Sequence, residues 1–355
     1  MKVPEALIPH SRPTFLPEEV EAAAEVLRSG HPAGGPVAAR FGAEAAAAVG
    51  VGHAVPTSSG TAALHLILAG MGVGPGDEVI IPSYVCTSLV NCCRYVGARP
   101  VLVDCRSSDF NMDQAAARAA VSGHTKAIVL PHMFGAPADV DAVAALGVPV
   151  IEDCAMAFGA SRSGRPVGSM GYACVVSTHA TKVLSTGEGG LALTSDDALA
   201  ERIRDLASYD QRCHYRVRYN YVMSDLQAAV GLCQLRGLPG FIERRREIAA
   251  RYTRELADLD TDLPQSENKG EHIYYRYVVR VGALGDAIER MAELGVGCKR
   301  PVHKPIHRYL GLPDADFPVS SLAADTNLSL PIYPSLSEDD TGRVLAAARS
   351  VISNG

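Results

Sequence analysis

Val175-Val176-Ser177-Thr178-His179-Ala180-Thr181-Lys182-Val183-Leu184-Ser185-Thr186-Gly187-Glu188-Gly189-Gly190-Leu191-Ala192-Leu193-Thr194 is a β-branched run, a polar turn that carries one lysine, a glycine cluster and a second apolar run. Two short runs of this kind read as strands. A lysine held between them, behind a glycine turn, is badly placed for an ordinary surface charge. If it is buried, its pKa falls and the neutral amine becomes a nucleophile for carbonyls, so Lys182 is a candidate for Schiff-base formation. A solvated hairpin lysine is the plain alternative, and the surrounding chain has to decide between them.

Similar runs recur on both sides of this stretch. They cover His53–Thr57, Glu78–Pro82, 100–104, 127–131, 149–153, Ala173–Ser177 and 191–194, and most are separated by helix-length segments such as 62–71, 87–96, 113–121 and 139–146. Strands alternating with helices predict a mainly parallel sheet covered on both faces. Ligands of such sheets sit beyond the carboxyl ends of the strands, so polar residues at the run ends become site candidates. Before the first run, Pro17-Glu18-Glu19 opens a helix that Gly30 stops, and 38–49 is a second helix. Beyond Thr194 the pattern is helical, with candidates at 197–206 and 224–235. Gly237-Leu238-Pro239-Gly240 is expected to break the chain, and 243–256 to form a separate helix. A strand at 273–281 and helices at 286–294 and 341–352 then suggest a smaller α/β domain starting near Pro239.

Composition narrows the possibilities. The chain has 355 residues, 47% hydrophobic and 20% charged, which is enough for a large packed domain and a smaller one. A net charge of −6 argues against non-specific nucleic-acid binding. The nine cysteines show neither a disulfide framework nor metal-ligand spacing and read as reduced thiols. No metal site is expected. The opening Met1-Lys2-Val3-Pro4-Glu5 lacks a signal-peptide core and no run reaches membrane-spanning length, so a cytoplasmic protein without a membrane partner is expected.

Several residues could carry chemistry. Ser58-Ser59-Gly60-Thr61 follows the first strand and opens a helix, whose free N–H groups and hydroxyls suit a phosphate. An ordinary N-cap explains it as readily. Asp153 ends a strand and could hold a protonated ring nitrogen, or cap the next segment. Asp104 ends another run in the same way. A phosphate cradle, an acid for a pyridinium nitrogen and a lysine for an aldehyde are together what pyridoxal 5′-phosphate requires.

With these residues in place, the chain resembles the DegT/DnrJ/EryC1/StrS aminotransferases. The matching stretches are Ser59-Gly60-Thr61-Ala62-Ala63-Leu64-His65, Gly74-Pro75-Gly76-Asp77-Glu78-Val79-Ile80, Ile151-Glu152-Asp153-Cys154-Ala155, Ser177-Thr178-His179-Ala180-Thr181-Lys182 and Gly187-Glu188-Gly189-Gly190. Tyr219-Asn220-Tyr221-Val222-Met223-Ser224-Asp225-Leu226-Gln227-Ala228-Ala229 and Leu328-Ser329-Leu330-Pro331 complete the series, which spans about residues 10 to 345. The resemblance implies a fold-type I α/β chain with a large cofactor domain over 1–238, built on a mainly parallel seven-stranded sheet flanked by helices. A smaller C-terminal α/β domain would cover 239–355. It implies Lys182 as Schiff-base lysine and proton carrier, and Asp153 on the ring nitrogen of pyridoxal phosphate. Gly60, Thr61 and Ser177 would hold the phosphate, and Asn220 would reach it from the partner subunit of a homodimer with shared sites.

Two departures from the family pattern stand out. Where an aromatic ring often stacks on the cofactor, the alignment puts Cys86, with Tyr84 two residues earlier; either could form that wall. Where Gln often follows the aspartate, Met156 stands, which cannot replace an amide's hydrogen bonds. His179 could touch the substrate or the cofactor's phosphate side, or be a structural histidine. Arg218 beside Arg216, and His303 and His307 in the basic stretch Cys298-Lys299-Arg300-Pro301-Val302-His303-Lys304-Pro305-Ile306-His307-Arg308-Tyr309, are either solvated faces or candidates for an anionic substrate. His132 is either a site residue or a capped strand end, and Glu188 a brace for the glycine turn. The implied reaction moves an amino group from glutamate (or glutamine) to a keto-sugar, by default a nucleotide-linked keto-deoxysugar. A keto-cyclitol of the scyllo-inosose type is the alternative acceptor. A sugar dehydratase of the same family would carry histidine in place of Lys182, and a non-catalytic binding protein would have no need of the lysine, aspartate and serine together.

Overall fold

The computed structural model describes residues 7–210, 212–264 and 270–353; the stretch 1–5 read for a leader lies outside them. The strand-like runs form one seven-stranded sheet: β1 (His53–Thr57), β2 (Glu78–Pro82), β3 (Arg99–Val103), β4 (Thr125–Pro131), β5 (Val150–Asp153), β6 (Ala173–Ser177) and β7 (Gly190–Thr194). Their spatial order is β1-β7-β6-β5-β4-β2-β3. Pairings from β3 across to β6 are parallel, and β7 alone runs antiparallel to both neighbours. The carboxyl ends of the six parallel strands therefore share one edge with the amino end of β7.

Alternation along the strands builds two cores from one sheet. Val79 and Ile81 of β2, with Ala127 and Val129 of β4, face Leu64 and Ile67 of α3 (Gly60–Gly70). Ile80, Ile128 and Leu130 face the other way, against Val103, Ala117 and Val140. A third core packs Cys174, Val176, Leu191 and Leu193 beneath Phe41 of α2 (Pro36–Val49) and Leu232 of α4 (Asp225–Leu256). Gly231 allows this approach: a Cβ there would lie 2.8 Å from the Phe41 ring.

The expected break at Gly237–Gly240 does not occur. Helix α4 runs unbroken for 32 residues with Pro239 inside it. Buried side chains on both flanks, Leu238, Phe241 and Ile242, hold the proline turn in place. Along this helix the packing changes hands. Leu238 and Ile242 belong to the core under the sheet, whereas Ile248, Ala249, Tyr252 and Leu256 belong to a separate core with Tyr277, Val279, Leu328, Leu330 and Val344. That second core surrounds the antiparallel pair β8 (Tyr277–Arg280) and β9 (Asn327–Leu330). The N-terminal segment joins it through Ile8, whose backbone bridges to Val296. All nine cysteines are free thiols, and among the described residues no helix is long and apolar enough to cross a membrane.

Strand β5 ends in two acids that alternation sends to opposite sides. Glu152 is fully buried and accepts from the N–H groups of Gly168 (2.8 Å), Met170 (2.7 Å) and Gly171 (2.6 Å). His132 Nδ1 accepts from Ala138 N–H, so Nε2 carries the proton and donates it to Glu152 at 3.0 Å. Cys154 lies close enough that one ligand atom from each of these three residues falls within 4.8 Å of the others, but the histidine and the carboxylate are already spent on this network. His132 thus takes the structural alternative considered for it. Burial alone would raise the Glu152 carboxyl; His132 and the three N–H groups outweigh it and hold the group below its ordinary range. That contribution to stability is complete above the unfolded carboxyl's pKa and is lost as pH falls through the lower, folded one. Glu152→Gln turns one acceptor oxygen into a donor facing other donors and is expected to lower unfolding stability by about 3 kcal/mol, measured in urea.

Candidate active site

The turn between β6 and β7 lies at the carboxyl edge because β7 reverses direction. Thr178 N–H donates to Gly189 O (2.9 Å), Ala180 N–H to Gly187 O (2.7 Å) and Thr186 N–H to Thr178 O (2.8 Å), which folds the turn into a compact loop carrying Lys182. The lysine is half-buried, and its Nζ stands 5.1 Å from the centre of the Tyr275 ring. Glu188 braces the loop through its backbone: its carbonyl accepts from the Thr186 hydroxyl and the Gln227 amide.

Across the loop, β1 leads into α3. Ser59 caps the helix, its hydroxyl accepting from Ala62 N–H at 3.0 Å. The N-cap reading of this motif is therefore correct for Ser59, while the N–H groups of Gly60 and Thr61 stand free of that cap at the helix start. A Cβ at Gly60 would lie 2.9 Å from Ser177 Cβ, so helix start and strand end touch only because residue 60 has no side chain. Thr61 shares a 2.8 Å hydrogen bond with Ser88, which ties in the segment after β2. From that segment Cys86 is solvent-accessible yet hemmed in by protein. Burial pushes its thiol up, and the charges of Lys182 and Asp153 both act on it.

Asp153 supplies the opposite wall. It is buried, and one of its oxygens accepts from Ala155 N–H at 3.0 Å; among the described residues no side chain donates to it. Burial raises the carboxyl's pKa, opposed by Ala155 N–H and by the charge of Lys182. Asp104, its rival in the sequence, serves as a cap: its carboxylate accepts from Val319 and Ser320 N–H at the start of the helix Pro318–Thr326. Met156 is half-buried and packs between the two cores that meet below the site.

Three sequence candidates fall elsewhere. Tyr84 is fully buried, its ring tilted against Phe110 and edge-on to Phe134, and its phenol donates to Ala323 O at 3.2 Å; the chain has left β2 at Pro82, and the phenol turns away from Cys86. Cys86, not Tyr84, faces Lys182. Arg218 is spent within its own loop, donating to Asp205 (2.9 Å), to the His214 carbonyl and to a His214 ring nitrogen. His307 is fully buried between Ser83, Asp314 and Ser321. His303 is exposed. His179 is exposed above the lysine loop, with Nδ1 on the Thr181 hydroxyl (3.2 Å) and Nε2 3.7 Å from Glu188. Asn220 lies on the surface, its backbone bridged to Ser208. Sequence reading missed Tyr275, which lies 93 positions beyond Lys182 (275 − 182) in the bend just before β8, although the sequence pattern places it inside a strand over 273–281.

Residues 14–349 match the model of the DegT/DnrJ/EryC1/StrS aminotransferase family. The spore coat polysaccharide biosynthesis protein SpsC of Bacillus subtilis is 37% identical, covering 97% of each chain. The dTDP-3-amino-3,4,6-trideoxy-alpha-D-glucose transaminase of Micromonospora megalomicea is 36% identical over 94% of each. Among solved structures, the PLP form of the putative sugar aminotransferase Spr1654 from Streptococcus pneumoniae superposes with a TM-score of 0.93 at 26% identity, over 98% of this chain and 99% of that one.

Gly60→Ala inserts a methyl group into the Ser177 contact and separates helix start from strand end. Its dissociation constant for pyridoxal phosphate, followed by absorbance titration, is expected to rise at least about tenfold, or ~1.4 kcal/mol.

Proposed function

The chain belongs to the DegT/DnrJ/EryC1/StrS aminotransferase family and is a pyridoxal-phosphate-dependent aminotransferase; we propose that it aminates a nucleotide-linked keto-deoxysugar with glutamate as donor. The observation that carries the site assignment is the buried Asp153 carboxylate, to which no described side chain donates, within electrostatic reach of Lys182. An acid in that state calls for a cationic N–H, which a protonated pyridine nitrogen supplies. The close approach of Gly60 to Ser177 at the positive end of α3, which brings the free helix-start N–H groups beside a hydroxyl, supports a phosphate there.

In this reading Gly60, Thr61 and Ser177 hold the phosphate and Asp153 keeps the ring nitrogen protonated. Bound pyridoxal phosphate contributes an electron sink for the bonding pair left when the donor's α-proton departs. Lys182 binds the cofactor's carbonyl carbon and, once free, accepts and returns that proton at Nζ. Cys86 lines one side of the ring position, a thinner wall than an aromatic ring provides. Met156 gives the acceptor pocket an apolar contact where an amide would have offered hydrogen bonds. His179 and His303, both exposed, are the remaining substrate-contacting candidates.

We further propose a homodimer with shared sites. Asn220 is exposed, and around it stand the exposed apolar side chains Tyr209, Tyr215, Val217 and Val222, a surface suited to a second copy that would bring Asn220 to the neighbour's phosphate. The division at residues 238/239 belongs to the same proposal: apart from Ile8, the second core draws only on residues beyond it.

Lys182→Ala is expected to reduce glutamate-dependent amination roughly 10³-fold or more across a panel of nucleotide-linked keto-sugars and keto-cyclitols. Undiminished turnover would refute the assignment, and turnover of cyclitols alone would replace the acceptor. Mixing refolded Lys182→Ala and Asn220→Ala chains tests the sharing. Hybrid dimers are expected to recover activity that neither variant has alone, because one site of each hybrid keeps both residues.

A further inference from the structure

The aromatic ring nearest Lys182 belongs to a residue that none of the family motifs contains. Tyr275 is 6% exposed, and two cations stand close to its ring: Lys182 Nζ at 5.1 Å from the centroid and the Arg276 guanidinium carbon at 4.9 Å. Arg276 also donates to the phenol oxygen at 3.3 Å, and Thr181 of the lysine loop favours its ionised form. A third cation lies behind. Arg245 of α4 is buried and donates to the carbonyls of Tyr274, Tyr275 and Ile332 at 3.3, 3.4 and 2.9 Å. No described carboxylate pairs with Arg245 or Arg276. The neutral ring of His10, which burial and Arg276 hold uncharged, is the other titratable group on Arg276.

The backbone is constrained to keep the phenol there. Tyr274 adopts a left-handed φ of 49° and Phe134, facing it, one of 56°. Phe134 and Gly135 grip the segment through their carbonyls, which accept from Arg276 N–H (3.2 Å) and Ile273 N–H (3.0 Å). Gly135 has φ 98°, and a Cβ on it would lie 2.9 Å from Tyr275 N. Such outliers persist only where the surroundings over-determine them, and they cluster at functional sites.

We propose that Tyr275 is the positioning residue of Lys182: its ring face seats the lysine's amino group, and its phenol oxygen, held by Arg276 next to the lysine loop, is the group among these cations that can take up negative charge. The proposal rests on the reading of Lys182 as the reactive lysine. The charge of Lys182 beside the phenol favours the phenolate, so the titration of Tyr275 depends on Lys182. The electrostatics point the same way. Burial raises the phenol's pKa, but the charge of Lys182, with Arg276, Thr181 and Arg245, brings it down to about 8.

The test is an ultraviolet titration of tyrosinate in the full chain freed of cofactor, so that the Lys182 amine is available. One tyrosine of the thirteen is expected to ionise near pH 8, well below the ordinary value of about 10. That step should be absent in Tyr275→Phe, which keeps the ring, and should move upward in Lys182→Ala and in Thr181→Val. In the cofactor-loaded enzyme, Tyr275→Phe should shift the midpoint of the pH-dependent visible absorbance. A wild type without a low-titrating tyrosine, a low step that survives Tyr275→Phe, or a midpoint indifferent to Lys182→Ala would overturn the proposal. Transamination assayed in parallel separates the two claims. An active enzyme lacking the low step refutes the pairing alone. A protein that shows the coupled step yet turns over no donor refutes the reading of the site and leaves the pairing standing.

Discussion

The site depends on one place where two stretches of backbone meet with nothing between them. Gly190 pairs with Thr57 of β1 on one side and with Ser177 of β6 on the other. A Cβ at Gly190 would lie 2.5 Å from Gly60 N and 2.6 Å from Ser59 O. No rearrangement of flexible side chains relieves that, because the obstructing atoms are main chain. The contact sets the distance between the start of α3 and the end of β6. It exists only because β7 is antiparallel. A parallel β7 would need a crossover from β6 and would begin at the opposite edge of the sheet. Reversal lets a short turn join the two strands, so the loop carrying Lys182 stays where the other strands deliver Asp153, Ser177 and Gly60.

Those deliveries were legible in the sequence because they follow from local rules. Short apolar runs located all seven strands to within about two residues, and where a run ends in a polar residue the carboxyl-edge rule made that residue a candidate. Local rules could not choose between Asp104 and Asp153. Both end strand-like runs, and only the tertiary fold brings the start of the 318–326 helix to the first, leaving the second with no side-chain donor among the described residues. Nor could they assign Tyr84, which sits two residues from Cys86 and by strand-like alternation reads as the same face. The chain has left β2 by then, and the phenol turns into the join between the two cores. Arg218 and His307 were misread for a related reason. A basic stretch looks available until its acids are found, and Asp205 and Asp314 lie 13 and 7 residues away.

The proline in α4 shows propensity losing to packing. An interior proline costs about 3 kcal/mol and removes a backbone donor, so a break was the reasonable expectation. What opposes it is a row of buried contacts on each side of residue 239 and two attachments that require one straight element. Near its start, Asp225 accepts from Gly35, Val37 and Ala38 N–H, which caps α2 and fixes the helix to the sheet domain. Twenty residues on, at ~1.5 Å per residue, Arg245 grips the carbonyls of Tyr274 and Tyr275.

The position of Arg245 decides what that continuity is for. A buried guanidinium held only by carbonyls is an expensive way to tie two segments together, since each of its hydrogen bonds could have come from a neutral donor without the desolvation penalty of a charge. Its cost is reasonable only if the charge has work to do nearby. The Tyr275 phenol is the nearby group whose ionisation that charge favours, and it is the group over which Lys182 rests. The same rigid helix thus anchors to the sheet at one end and places a cation behind the lysine's aromatic seat near its middle. Tyr275 itself packs in the core under the sheet, just ahead of β8 of the C-terminal core, and α4, which runs through both cores, holds its backbone through Arg245.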